Sequence, residues 1–327
     1  MPERSTLVLG PSGVGKTALI ASVNHASRMH RAVEDGLDVI IKGRNDETNT
    51  LFSQMHLLLE QGSVPFQGTS QIIDYHFWSK VIVPKTGLWG SLSGMFGSKY
   101  QEFKNDVFFT DSPGGATFPG DDGEIDYVVM GEYRARLTDR LKTASGVIIC
   151  ADASELNCPD ENRGRVGGKF SAWLNQIFSQ AAPKLSAGNP DPILSAERVY
   201  VCLNKCDLWA LNGLYKANAQ EAVEALDPLQ FCHELLGRDF LRTIEAWFKP
   251  KTQVAFGFSS VYGFIDGGIN ARLIGAIQSK NGLRVEDIES WKPYQTLDPF
   301  VFLCSGLTLG QNIRICNAED LRILRDE

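Results

Sequence analysis

The stretch Gly10-Pro11-Ser12-Gly13-Val14-Gly15-Lys16-Thr17 lies between two patterned segments. Before it runs the apolar Thr6-Leu7-Val8-Leu9, a strand-like run; after it Ala18, Leu19, Ile20 and Val23 recur at helical spacing. Strand, glycine-rich loop and helix, in that order, is what a phosphate-binding loop requires. Glycines at 10, 13 and 15 admit backbone conformations closed to residues with a Cβ. Successive amide N–H groups can then point inward as a nest for phosphate oxygens, reinforced by the positive end of the helix dipole. Lys16 is placed to reach the β- and γ-phosphates and the Thr17 hydroxyl to ligate Mg²⁺. Ser12, Val14 and Ala18 belong to the same candidate nucleotide-binding stretch.

The rest of the composition suits this reading. A chain of 327 residues with 43% hydrophobic and 22% charged residues has ample material for a soluble core. A net charge of −7 argues against a nucleic-acid-binding surface as the main function. No apolar run reaches bilayer-spanning length, and Met1-Pro2-Glu3-Arg4 enters the first strand without a signal peptide, so no integral membrane segment is expected. The seven cysteines are odd in number and scattered, which reads as the reduced thiols of a cytoplasmic protein.

Downstream, a helix is expected over 16–30, a short extended segment over 37–42 and a helix from Glu47 to Gln61, ended by Gly62-Ser63-Val64-Pro65. Thr69 precedes a β-rich run over 72–83 and is the candidate to complete a magnesium shell when a γ-phosphate is present. The tract 87–98 carries Trp89, Leu92, Met95 and Phe96 among glycines and serines. It either covers another part of the fold or meets a partner or membrane. Strand 106–110 then delivers Asp111-Ser112-Pro113-Gly114. An acid at the end of a strand beside the phosphate loop is the second Mg²⁺ anchor, and Gly114 can offer its N–H to a γ-phosphate.

Helix 124–144, strand 146–151, a polar loop around 159–168, helix 169–182 and a connector over 183–195 lead to strand 198–203. That strand ends in Asn204-Lys205-Cys206-Asp207, the N-K-x-D pattern. A carboxylate at Asp207 can accept from both N1–H and the 2-amino group of guanine, whereas adenine would leave it unpaired; such a site discriminates by roughly 10⁴-fold or more. Asn204 would tie the base loop to the phosphate loop, and the Lys205 stem would lie across the base. Helices over 217–226 and 229–247 follow, then strand 253–258. Ser259, Ser260 and Val261 come next, with backbone amides suited to the guanine carbonyl oxygen. The tail, with Trp291-Lys292-Pro293 and Asp298-Pro299-Phe300, reads as closing packing on the same sheet.

Taken together, Gly10–Thr17, Thr69, Asp111–Gly114, Asn204–Asp207 and Ser259–Val261 resemble the five ordered motifs of the P-loop GTPases of the translation-factor and Ras-like class. The terminal Trp-x-Pro and Asp-Pro-Phe segments are similar to bacterial stand-alone or double GTPases. The resemblance implies an α/β fold, a doubly wound, mainly parallel sheet with one antiparallel edge strand. It implies one GTPase domain over 1–327, with insertions near 31–67 and 85–104 and an extension over 265–327. It further implies GTP or GDP with Mg²⁺, catalytic roles for Lys16, Thr69 and Gly114, metal ligation by Thr17, Thr69 and Asp111, and a nucleotide-dependent switch. Such a switch calls for a protein effector or activating partner and admits a nucleotide-dependent dimer. One departure stands out: Gly115 occupies the position where many members carry a water-orienting Gln, so intrinsic hydrolysis is expected to be slow. Two other readings stay open on the residues alone: a P-loop ATPase or nucleotide kinase, and a non-hydrolysing scaffold that binds GTP.

Overall fold

In a computed structural model the described residues are 4–11, 13–31, 36–61, 72–84, 100–111, 127–157, 160–182, 194–212, 218–269, 271–273, 283–285 and 291–325. The chain begins with β1 (Arg4–Leu9) and α1 (Lys16–Arg31), then β2 (Asp38–Gly43), α2 (Asp46–Gln61), β3 (Ile73–Pro84) and β4 (Tyr100–Asp111). Next come α3 (Tyr127–Thr143), β5 (Gly146–Asp152), α4 (Asp160–Ala181), β6 (Arg198–Asn204) and α5 (Cys206–Asn212). They are followed by α6 (Ala219–Glu224), α7 (Pro228–Leu236), α8 (Arg238–Trp247) and β7 (Gln253–Ser259). Short hairpin strands β8 (Phe264–Ile265), β9 (Gly268–Ile269), β10 (Ala271–Leu273) and β11 (Leu283–Val285) precede α9 (Asp298–Ser305) and β12 (Ile313–Asn317).

Eight of the strands form one sheet in the order β12-β7-β6-β5-β1-β4-β3-β2. The five central strands, β7, β6, β5, β1 and β4, run parallel. Their alternate residues are apolar on both faces, as a sheet covered on both sides requires. Leu7, Leu9, Val147, Ile149, Val201 and Phe256 pack beneath α3, α4, α7 and α8. Val8, Ile148, Cys150, Tyr200 and Phe109 pack beneath α1 and α9. The α/β, doubly wound, mainly parallel architecture is thus as the sequence implies.

Several local expectations need correction. The sheet has antiparallel pairing at both ends, not at one: on one side β3 runs antiparallel to both β4 and the edge strand β2, and on the other β12 runs antiparallel to β7. The C-terminal tail supplies the second, because after α9 crosses the sheet the chain returns alongside β7. The polar stretch expected as a loop over 159–168 is the first part of α4. Gly167 there does not break the helix; a Cβ on it would sit 2.3 Å from the Leu236 carbonyl oxygen, so glycine lets α4 approach α7. The single helix expected over 229–247 is two, divided at Gly237, whose φ of +78° with ψ of 174° is an extended positive-φ conformation that glycine alone adopts readily and no helix contains. Within the ranges read as insertions, 38–43 is the edge strand of the main sheet and 100–104 is the start of β4. The tract 87–98 lies outside the described residues.

The tail is joined to the core by α9. Phe300, Val301 and Phe302 are fully buried, and the Phe300 ring lies 5.6 Å from that of Phe77 on β3. We predict that Phe300→Ala lowers unfolding free energy by roughly 3–5 kcal/mol, through lost burial and a cavity that α9 cannot collapse. Leu307→Ala, at a residue 40% exposed, costs under about 1 kcal/mol. Urea denaturation of both variants checks the contrast.

Candidate nucleotide site

The parallel strands bring their carboxyl ends to one edge, and each delivers a polar group there. Gly10 follows β1, Asp111 ends β4, Asp152 ends β5, Asn204 ends β6 and Ser259 ends β7. Asp152, Asn204 and Ser259 occupy one register row across three adjacent strands. Side chains far apart in sequence are therefore neighbours by strand pairing alone.

In the glycine-rich loop, Gly13 and Gly15 have φ of +82° and +84°. At Gly15 the space is also taken: an added Cβ would lie 2.6 Å from Nδ2 of Asn204. Lys16 is buried, and its Nζ donates to the carbonyls of Gly10 (2.9 Å) and Pro11 (2.6 Å). Burial pushes the Lys16 ammonium pKa down, and the nearby Asp111 carboxylate partly offsets this. The Thr17 hydroxyl donates to Oδ2 of Asp111 at 2.7 Å, so the two residues read as metal ligands meet directly. Ser12, Thr69 and Gly114 lie outside the described residues, as do Gly115 and Asp121, Asp122 and Glu124. Thr48 of α2 is buried and occupied: its hydroxyl donates to Asn45 and accepts from the His76 N–H.

On the other side of the edge, the buried Asn204 amide donates from Nδ2 to the Val14 carbonyl (2.8 Å) and accepts at Oδ1 from the Ser259 hydroxyl (3.1 Å). Lys205, with φ of +60°, extends past Gly15 and ion-pairs with Asp152 at 2.5 Å. Asp152 was not singled out from the sequence. Its other oxygen accepts from the N–H and hydroxyl of Ser154 at 3.0 and 2.6 Å, which fixes the carboxylate that holds Lys205. An acid at the end of a buried strand, one strand from the N-K-x-D motif, was the available signal.

Asp207 stands in the first turn of α5 and is 1% exposed. The Ser260 hydroxyl and the amides of Asp207 and Leu208 hydrogen-bond its carboxylate, while burial dominates and pushes its pKa up to about 6. Its Oδ2 is buried and has no hydrogen-bond partner among the described residues. A buried carboxylate oxygen left this way is costly, and a ligand presenting two adjacent N–H donors would satisfy it. The Ser260 N–H is committed to the Tyr294 carbonyl (3.0 Å), which removes it from the amides considered for the base carbonyl; of the other two, Ser259 closes β7 and Val261 lies beyond the strand.

No family model matches the chain, and no curated protein matches it. Similar solved structures include the signal recognition particle receptor SRb-GTP/SRX complex from Chaetomium thermophilum. That match is 13% identical, covers 82% of this chain and 94% of that chain, and has a TM-score of 0.35. The S. cerevisiae Ski7 GTPase-like domain, bound to GDP and inorganic phosphate, matches at 11% identity over 79% of this chain, with a TM-score of 0.30. The present chain spans 43% of the length of that Ski7 chain. SRb-GDP-Mg from Chaetomium thermophilum matches at 15% identity over 79% of this chain and 90% of that chain, with a TM-score of 0.29.

The Asp207 carboxyl binds its proton more tightly in the fold than in the unfolded chain, where its pKa is about 3.8. Ionisation of Asp207 therefore costs stability as pH rises from about 4 through about 6, and the cost remains above that window. Asp207→Asn is expected to make the ligand-free protein more stable than wild type at pH 7.5, by roughly 1–3 kcal/mol. The gain should shrink below pH 6 and vanish near pH 4, as followed by thermal melts across that range.

Proposed function

We propose that this protein binds GTP and GDP with Mg²⁺ and hydrolyses GTP slowly, or with help from a partner, as a nucleotide-dependent switch. The observation that carries the reading is the buried, unpartnered Oδ2 of Asp207 on the strand edge that also holds Lys16 and Thr17. A guanine base offers N1–H and a 2-amino group to this carboxylate; adenine offers neither in the required places. That asymmetry favours GTPase over ATPase or kinase chemistry.

Each residue then has a task. Main-chain N–H groups of the loop from Gly10 to Thr17 cradle the phosphates, and Lys16 supplies a charge whose loss of hydration burial has already imposed. Thr17 and Asp111 would hold Mg²⁺; both present oxygen donors, which suits a hard cation, and the ion when bound offsets charge on the β- and γ-phosphates. Asp207 reads the base, the Val261 amide meets its carbonyl oxygen, and the Lys205 stem, pinned by Asp152, walls one side. On this reading Thr69 and Gly114 respond to the γ-phosphate, and the absence of a side chain at Gly115 leaves the attacking water without a local orienting group. An activating protein, a second copy of the chain, or one of Asp121, Asp122 and Glu124 would supply it. The chain as a whole would act as one domain in a reducing compartment.

Competition among GTP, GDP and ATP in the presence of Mg²⁺ tests the central claim. Guanine nucleotides should bind at least about 10⁴-fold more tightly than ATP. Asp207→Asn should move that preference to xanthine nucleotides, and Lys16→Ala should abolish phosphate release. Equal or better binding of ATP would overturn the reading. Fast phosphate release by the purified protein, surviving change of all three acids, would overturn the slow-hydrolysis part.

A further inference from the structure

Trp291-Lys292-Pro293 is conspicuous in the sequence, yet none of the tasks above uses it. Trp291 is 1% exposed, and its indole N–H donates to the Val261 carbonyl at 2.7 Å, 30 positions earlier in the chain. One face of its ring stacks on His25 of α1, with centroids 4.2 Å apart and planes 21° from parallel. Three residues on, the main chain of Tyr294 exchanges two hydrogen bonds with Ser260, at 3.0 and 2.8 Å. Between these two attachments the chain passes so close that a Cβ on Gly263 would lie 1.9 Å from the Lys292 carbonyl oxygen. The 259–263 loop is thus pressed between the end of β7 and residues 291–294.

What this loop holds explains the consequence. Ser260 is the residue whose hydroxyl braces Asp207, and the same hydroxyl accepts the Gly263 N–H at 2.9 Å. Val261 carries the amide beyond the strand considered for the base carbonyl. Neither group is set by strand pairing, because β7 ends at Ser259. Both are set by the clamp: Trp291 by a side-chain donor to Val261, Tyr294 by main-chain bonds to Ser260. Trp291 also rests on His25, nine residues along α1 from Lys16, so the indole is anchored to the body of the fold away from the phosphate loop.

We propose that Trp291 is a positioning residue for guanine recognition, holding the Ser260–Val261 loop in its base-reading form, and that residues 291–294 are part of the nucleotide site. The inference rests on the guanine reading above. Its action is on the base end alone: the loop from Gly10 to Thr17 makes its contacts without Trp291.

The test is Trp291→Phe, which keeps an aromatic ring against His25 and removes the N–H donor. Release of fluorescent GDP and of fluorescent GTP should both accelerate by roughly five- to tenfold, because the Val261 carbonyl loses a buried donor. The preference for GDP over IDP, which lacks the 2-amino group, should fall with it, while tripolyphosphate competes as well as against wild type. A purely structural defect would weaken tripolyphosphate and GDP together, and that outcome would overturn the proposal. So would unchanged GDP release in a folded variant. Should Trp291→Phe fail to fold, hydrogen exchange on the wild-type protein decides: GDP should slow exchange over 291–294 together with 259–263, and no change over 291–294 would overturn the clamp. A wild-type protein without guanine preference removes the function reading and the clamp with it; a guanine-selective wild type with an unaltered Trp291→Phe removes the clamp alone.

Discussion

Asn204 joins three loops with one amide. Its NH₂ reaches the Val14 carbonyl in the glycine-rich loop and its oxygen receives the Ser259 hydroxyl at the end of the next strand. The group is 1% exposed, so both bonds form away from water, where an unmade bond costs roughly 1–3 kcal/mol. The requirement runs backward into the sequence. Gly15 has to be glycine partly because its φ is positive, and also because Nδ2 of Asn204 occupies the place of a Cβ. The glycine of one motif and the asparagine of another, nearly two hundred residues apart, are one packing solution.

That solution depends on the sheet being parallel at its centre. Parallel strands present their carboxyl ends at a common edge, and a shared register sets Asp152, Asn204 and Ser259 in one row. Helices on both faces keep the strands dry and fix that register, since a slip of one residue would turn Tyr200 and Val201 to the wrong sides. The antiparallel-paired additions, β3 with β2 on one side and β12 on the other, lie outside this central group and widen the sheet around it.

Legibility in the sequence followed the range of the interaction. The loop from Gly10 to Thr17 and the Asn204–Asp207 motif are local backbone devices between apolar strands and helices, so their place could be read directly. Glycine was ambiguous, because the same residue type serves two ends: Gly237 breaks a helix through its positive φ, whereas Gly167 lets a helix continue against its neighbour. Polar composition around 159–168 suggested a loop for a segment that is helical. Asp152 and the return of β12 beside β7 depend on which strand lies next to which, and no local pattern carries that information. Ser12, Thr69 and Gly114 lie outside the described residues, so the γ-phosphate end of the site rests on the sequence.

The electrostatics of the edge give the arrangement its sense. Lys16 and Asp207 carry opposite charges, yet burial drives both toward their neutral forms, the lysine pKa down and the aspartate pKa up. They do not relieve one another: Lys16 donates to loop carbonyls, and Asp207 is braced by a hydroxyl and amides with one oxygen left over. A fold selected for stability alone would replace both with apolar groups. Keeping a buried cation at one end of an edge and an unpaired carboxylate oxygen at the other makes sense if one ligand ends in phosphate and begins in a base with two N–H donors. Such a ligand relieves both costs when it binds the folded state, and by linkage its binding then adds to the stability of the fold.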